Sequence, residues 1–234
     1  MRDTALDARL RSAAGFVRQG AVFADIGTDH AHLPIFLLKA GVISRAVCSD
    51  INEGPLSAAG RNLAECGFSE RAELVLTDGA GELAGRGITD YAICGMGGEL
   101  IVSIISAAPQ LFDTGVHLIL QPMTRQATLR TELYRMGFSI IREKYSYADG
   151  RYYVTMLAVY TGEKREISES CAEIGLSPVS DEGRVEYIGY LEAKLASLER
   201  AIDGRRRGGG DVSRELLLAE EIRDAIERTR ESVK

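Results

Sequence analysis

No stretch of this 234-residue chain reaches the roughly 18 consecutive apolar residues that a bilayer-spanning helix needs. The first twenty residues, MRDTALDARLRSAAGFVRQG, also lack the continuous apolar core of a secretory signal, so the expectation is a cytoplasmic protein with no membrane partner. Cysteine is sparse. Cys48, Cys66, Cys94 and Cys171 are scattered without a C-x-x-C pair, which excludes a disulfide framework and points to reduced, mostly buried thiols with no metal bound. Basic charge is not in excess either: 28 Lys and Arg stand against 34 Asp and Glu, for a net charge of −6. That excludes a chain basic all over, but nucleic acid needs only a local basic surface. There is no internal repeat and no low-complexity tract. Lastly, G-x-G-x-x-G is missing. The second glycine of that dinucleotide fingerprint would stand where Asp29 is, and a carboxylate there repels a pyrophosphate. An uncharged or cationic ligand suits the place better.

What remains is an ordinary globular composition, 45% hydrophobic and 26% charged, in a length that suits one large domain or a medium domain with an appendage. The organising stretch is VFADIGTDHAHLP at 22–34. Val22 to Ile26 is a short β-favouring run, Gly27 stops it, Thr28-Asp29-His30 turns the chain, and a helical pattern starts near Ala31. Strand, glycine turn and helix make the first unit of a doubly wound α/β domain, where ligands bind at strand ends. Gly27, with no Cβ, lets the backbone approach such a ligand.

The following strands repeat the theme. Arg45 to Ser49 ends at Asp50, 23 residues after Gly27, where a cofactor ribose presents its hydroxyls in this fold. AELVLTDGA ends at Asp78-Gly79, and DYAICGMGGEL runs from Asp90 to Cys94 before opening into Gly95-Met96-Gly97-Gly98. HLILQP spans His117 to Pro122 with Gln121 at its carboxyl end, facing the same crevice. The stretch 138–160 then shows two β-rich runs joined by Asp149-Gly150, a hairpin signal. Parallel strands closed by an antiparallel hairpin predict the order 3-2-1-4-5-7-6, the α/β, Rossmann-like arrangement of class I methyltransferases. Before the domain, residues 3–19 read as an amphipathic helix with Arg2, Arg9, Arg11 and Arg18 on its exposed side, for solubility or for phosphate contact. After it, 161–180 reads as a polar linker or docking segment. Apolar residues at three- and four-residue steps in 183–203 and 212–232, around RRRGGG at 205–210, predict an antiparallel coiled-coil hairpin. The expected division is 1–160 and 161–234.

D-I-G-T-D-H-A-H-L-P at 25–34, S-D-I-N-E-G-P at 49–55, A-I-C-G-M-G-G at 92–98 and L-I-L-Q-P at 118–122 together resemble the TrmK family, bacterial S-adenosylmethionine-dependent tRNA (adenine(22)-N1)-methyltransferases. The resemblance covers residues 1 to about 160, and the hairpin matches the family's architecture. It implies S-adenosylmethionine as cofactor and tRNA as partner. By similarity Asp25, Gly27, His30, Asp50, Asn52, Asp78, Gly79, Gly95 and Met96 would hold the cofactor, with Asp50 on the ribose and Asp78 and Gly79 near the adenine. Gly97, Gly98, Gln121 and Pro122 would face the substrate. Asp29 is the expected catalytic residue, orienting the target base through its amino group, with holding the cofactor's amino group or His30 as its other role. Carboxylates at the strand ends suit a sulfonium cation. Enzymes that methylate an exocyclic amine commonly carry Asn/Asp-Pro-Pro-Tyr/Phe after strand four, and Cys94-Gly95-Met96-Gly97 stands there instead. The competing readings are a noncatalytic tRNA-binding protein and a small-molecule methyltransferase.

Overall fold

The structure, a computed structural model, describes residues 6–176 and 182–231. Its centre is one seven-stranded sheet in the order β3-β2-β1-β4-β5-β7-β6. The strands are β1 (Val22–Ile26), β2 (Arg45–Asp50), β3 (Ala72–Leu76), β4 (Asp90–Gly97), β5 (His117–Thr124), β6 (Phe138–Ala148) and β7 (Arg151–Tyr160). The first five run parallel, and β7 pairs antiparallel with both β5 and β6. This is the class I order expected from the sequence, and the Asp149-Gly150 turn closes the hairpin with positive φ at both residues.

The parallel strands read as near-continuous apolar runs because helices cover both faces of the sheet. Side chains alternate across it. Phe23, Ala92 and Ile119 join the cluster formed with α1 (Ala8–Ala14), α2 (His32–Lys39) and α3 (Glu53–Glu65). Ala24, Ile93 and Leu120 join the opposite cluster with α4 (Gly98–Ser106) and α5 (Gln126–Met136). That second cluster also takes in Tyr187, Tyr190 and Leu191 of α7 (Arg184–Arg207) and Ile222, Ala225 and Ile226 of α8 (Ser213–Glu231).

Some expectations change in detail. The N-terminal helix is shorter than 3–19: Asp7 caps it by accepting a hydrogen bond from the Leu10 amide at 2.7 Å, and it stops at Gly15. Arg2 and the first residues of that predicted helix lie outside the described residues. Arg18 cannot prolong the helix, because its amide donates to Asp90 Oδ2 at 2.9 Å and its guanidinium to Asp90 Oδ1 at 2.6 Å. Asp90 is fully buried, so this pair ties the segment after α1 to the start of β4.

The linker is not bare: Ser168 caps a short helix, α6 (Glu169–Ile174). Its Ser177 and Pro178 lie outside the described residues. A buried pair clamps this segment to the sheet. Arg130 Nε donates to Glu143 Oε1 at 2.7 Å and Nη1 to the Ala172 carbonyl at 2.7 Å, while Glu143 Oε2 accepts from the Leu176 amide and the Tyr145 hydroxyl. Gly175 sits against both charged groups at positive φ, and a Cβ there would overlap them.

Arg205, Arg206 and Arg207 belong to the last turn of α7, where cations favour the helix dipole, and the reversal follows them. The hairpin also packs against the sheet. Its base is part of the main core, with the Tyr145 ring 4.7 Å from Tyr187 and 5.0 Å from Tyr190, and only its outer part has a separate cluster of Ile202, Val212 and Ala219. Among the four thiols Cys48 is buried, Cys66 and Cys94 are partly exposed and Cys171 is exposed. None of the described helices is long and apolar enough to cross a membrane.

Candidate active site

At the carboxyl ends of β1, β2 and β4 lies a cavity of about 630 Å³. Its first wall is the turn after β1. Gly27, at φ 73°, and Thr28 both donate their amides to the Ser49 carbonyl at 2.8 Å, which brings the turn against the end of β2. His30 and Ala31 then take left-handed φ values of 59° and 55°, costly for residues with a Cβ. Asn62 of α3 holds this bend by donating its side-chain amide to the His30 carbonyl at 2.9 Å. The result is a tight entry into α2 that leaves Asp29 four-fifths exposed, its Oδ1 3.3 Å from His30 Nε2.

Asp25 lies deeper. It is buried, and it accepts a hydrogen bond from the Thr28 hydroxyl at 2.7 Å. Burial pushes its carboxyl up to about 7; the Thr28 bond opposes the shift, and the charges of Asp29 and Asp50 add to it. Asp50, at the end of β2, accepts from the Asn52 amide at 2.8 Å through Oδ1 and lines the cavity. Burial and the nearby Asp25 push the Cys94 thiol up, so it stays protonated.

The glycine-rich end of β4 forms the facing wall. Instead of ending at Cys94, the strand continues to Gly97 with register shifts against β5 on both sides of Met96. Such irregularities re-aim a side chain, and Met96 turns into the cavity. A Cβ on Gly27 would overlap Met96 Cε, so the absence of that one atom lets the two walls approach. Gly98 is needed for another reason: a Cβ there would collide with the Arg125 carbonyl.

Of the residues expected at the site, Asp25, Gly27, Asp29, Asp50, Gly95 and Met96 line the cavity. Others stand back from it. Gln121 is completely buried behind the wall, its Oε1 accepting from the Gly95 amide at 3.1 Å and from Arg9 Nη1 at 2.8 Å. Pro122 and Gly98 are buried, and Gly97 is half-buried beside Thr124. His30, Asn52 and Asp78 are exposed at the strand ends, and Gly79 packs against Ile104 of α4. None of these residues lines the cavity.

The structure also adds residues that sequence patterns did not place at the site. Asp7, Arg9 and Leu10 reach the cavity from α1, which packs across β4, β5, β7 and β6. Met123 enters from the end of β5, and Ala148, Asp149 and Tyr153 come from the β6–β7 hairpin. The Asp-Gly turn was legible as a turn, but nothing local said that it overhangs the ends of β1 and β4. No cluster of three or more potential metal ligands occurs among the described residues.

The relatives agree with this arrangement. Residues 6–156 match the methyltransferase domain family. The tRNA (adenine(22)-N(1))-methyltransferase of Bacillus subtilis (strain 168) is 33% identical over 159 residues, which are 68% of this chain and 66% of that relative. A Streptococcus pneumoniae protein crystallised with S-adenosyl-L-methionine superposes with a TM-score of 0.76 at 28% identity, covering 96% of this chain and 99% of that one. The TrmK of M. capricolum, solved with S-adenosyl-homocysteine, gives 0.76 at 25% identity over 95% of this chain and 98% of its own. A seven-stranded sheet in the methyltransferase order, a carboxylate-rimmed cavity at its strand ends and these likenesses together place the chain: it belongs to the methyltransferase domain family, among the TrmK methyltransferases.

Proposed function

We propose that the protein uses S-adenosylmethionine to methylate N1 of an adenine in tRNA, at position 22, in the cytoplasm. The observation that carries the reading is the cavity itself. It combines a glycine cradle that a Cβ would fill, a carboxylate at the end of β2 and a buried carboxylate behind the turn, which suit a nucleoside bearing a cationic sulfur. When bound, S-adenosylmethionine supplies an electrophilic methyl group.

The chain's own residues would hold and align. Asp50 accepts from ribose hydroxyls, and the Gly27 turn closes on the amino-acid part. Asp25 meets the positive charge, Met96 and Gly95 form the wall, and His30 and Asn52 support the turns that carry Asp29 and Asp50. Asp78 and Gly79 border the adenine end. On the substrate side, Gly97 and Gly98 keep space beside the wall, while Gln121 and Pro122 fix it from behind. Adenine N1 has a free lone pair, so no base is needed to activate it, and positioning supplies the catalysis. Asp29 accepts from the base's amino group, which defines its orientation, and its charge offsets the positive charge that N1 methylation leaves on the base. N1 lies on the pairing edge, so the target base leaves the tRNA core to react. The arginine-bearing end of α7 grips the tRNA.

The test is nucleoside mass spectrometry of an unmodified tRNA transcript incubated with protein and S-adenosylmethionine. The expected product is 1-methyladenosine, lost when position 22 carries guanine. N6-methyladenosine, or no methylation of any tRNA, refutes the reading.

A further inference from the structure

A second cavity, of about 380 Å³, adjoins the one at the strand ends. The two share walls. Asp7, Arg9 and Leu10 line the first and Ala8, Arg11 and Ser12 the second, so different sides of α1 serve each. Along β6, Lys144 to Tyr147 line the second cavity and Ala148 the first. Glu182 and Glu186, at the entry to α7, complete the second.

The arginines of the N-terminal segment divide between buried work and open surface. Arg9 donates to Gln121 and Arg18 to Asp90, whereas Arg11 is exposed, donates to the Leu6 carbonyl at 3.2 Å and forms no ion pair among the described residues. Lys144 Nζ lies 3.3 Å from Glu182, in an exposed pair that water keeps weak and that an incoming anion can displace. Beside these cations stands Tyr147, 53% exposed, with Tyr152 supporting its ring from the paired strand at 4.7 Å. Ser146 is buried, and its hydroxyl has no hydrogen-bond partner among the described residues. Buried hydroxyls are seldom left so, and a ligand's polar group would complete this one.

A bare polyanion does not suit a cavity that also carries Glu182 and Glu186, and an apolar ligand leaves its cations unpaired. One nucleotide of an RNA suits all of it. Its phosphate meets Arg11 and Lys144, its base offers a π face to Tyr147, and an exocyclic amine or sugar hydroxyl answers Glu186 and Ser146. Resting on the tRNA reading above, we propose that this cavity holds a nucleotide flanking the target adenine, its phosphate between Arg11 and Lys144 and its base stacked on Tyr147. The RNA then straddles α1, with the target base on one side and its neighbour on the other. Holding the neighbour outside the tRNA stack keeps the target base exposed.

The experiment measures binding of an unmodified tRNA transcript and, separately, of S-adenosylhomocysteine to the full-length protein. Tyr147→Ala should weaken the tRNA about tenfold, the scale of losing one stacked base, and Tyr147→Phe, which keeps the ring, should match wild type. Arg11→Gln removes the charge and keeps a neutral donor. It should weaken the tRNA and make the salt dependence of its affinity shallower by about one phosphate contact. S-adenosylhomocysteine affinity should be unchanged in all three variants. Transcripts with a single abasic residue on the 5′ or the 3′ side of the target adenine locate the contact. One of them should bind wild type about tenfold more weakly and lose nothing further with Tyr147→Ala. Normal tRNA affinity in Tyr147→Ala, or wild type indifferent to both abasic transcripts, overturns the proposal and leaves the methyltransferase reading standing. Equal weakening of tRNA and S-adenosylhomocysteine means that these residues only hold α1 and the hairpin in place, and overturns it as well. Wild-type protein that binds no tRNA overturns both.

Discussion

Asp25 links cofactor charge to pH in a way that one titration series can test. Its carboxyl is held near 7 chiefly because burial disfavours the ionised form; the Thr28 hydroxyl bond pulls the other way, and the Asp29 and Asp50 charges raise it further. A group with that value is about 10% ionised at pH 6 and about 90% ionised at pH 8. A ligand that needs the ionised form therefore gains about tenfold in affinity across the interval, roughly 1.4 kcal/mol. S-adenosylmethionine carries a positive sulfur and S-adenosylhomocysteine does not, yet both carry the same amine and carboxylate. The ratio of their affinities isolates the sulfonium. That ratio should rise about tenfold in favour of S-adenosylmethionine from pH 6 to pH 8 by calorimetry, and Asp25→Asn should flatten it. The empty protein should respond in the opposite sense. A carboxyl whose folded-state value is raised gives stability that is fully present below its unfolded value of 3.8 and is lost as pH rises through about 7. Thermal midpoints of the ligand-free wild type should therefore fall over that range relative to Asp25→Asn. A ratio independent of pH, in a protein that binds both ligands, refutes the argument.

Three other outcomes are expected. Asp50→Ala should weaken S-adenosylhomocysteine by about 1.5–3 kcal/mol with little change in thermal midpoint, since among the described residues the Asp50 side chain bonds the Asn52 amide alone; an unchanged affinity removes the ribose role. Asp29→Asn should lower the single-turnover methylation rate at least about tenfold, near 1.4 kcal/mol, while cofactor affinity changes little. The reverse pattern would assign Asp29 to the cofactor instead of the base. Arg130→Ala strands the buried Glu143 carboxylate and should cost about 3–5 kcal/mol in urea unfolding, and a loss under about 1 kcal/mol would show that water reaches the pair.

The elements of this fold were legible because their signals are local. A β-favouring run that stops at Gly27, a run that stops at Asp50 and Asp149-Gly150 between two β runs each depend on backbone preferences within a few residues. So the strand order and the carboxylates at the strand ends could be read without coordinates. The partner of each side chain was decided elsewhere. Arg9 and Arg18 look like exposed arginines on a helix, yet cross-sheet packing delivers one to Gln121 and the other to Asp90, 112 and 72 residues away. Gln121 lies in β5 as expected, but the strand runs on to Thr124 and the Gly95 amide bonds Gln121 from the facing strand, which leaves it behind the cavity wall. The tyrosines of α7 belong to a hairpin whose periodicity predicts that its two helices pair, and Tyr145 on β6 draws them into the main core. Periodicity reports which face of an element is apolar and says nothing of what covers that face. A hydrogen bond across a hundred residues depends on strand register and helix docking, and only the assembled sheet sets those.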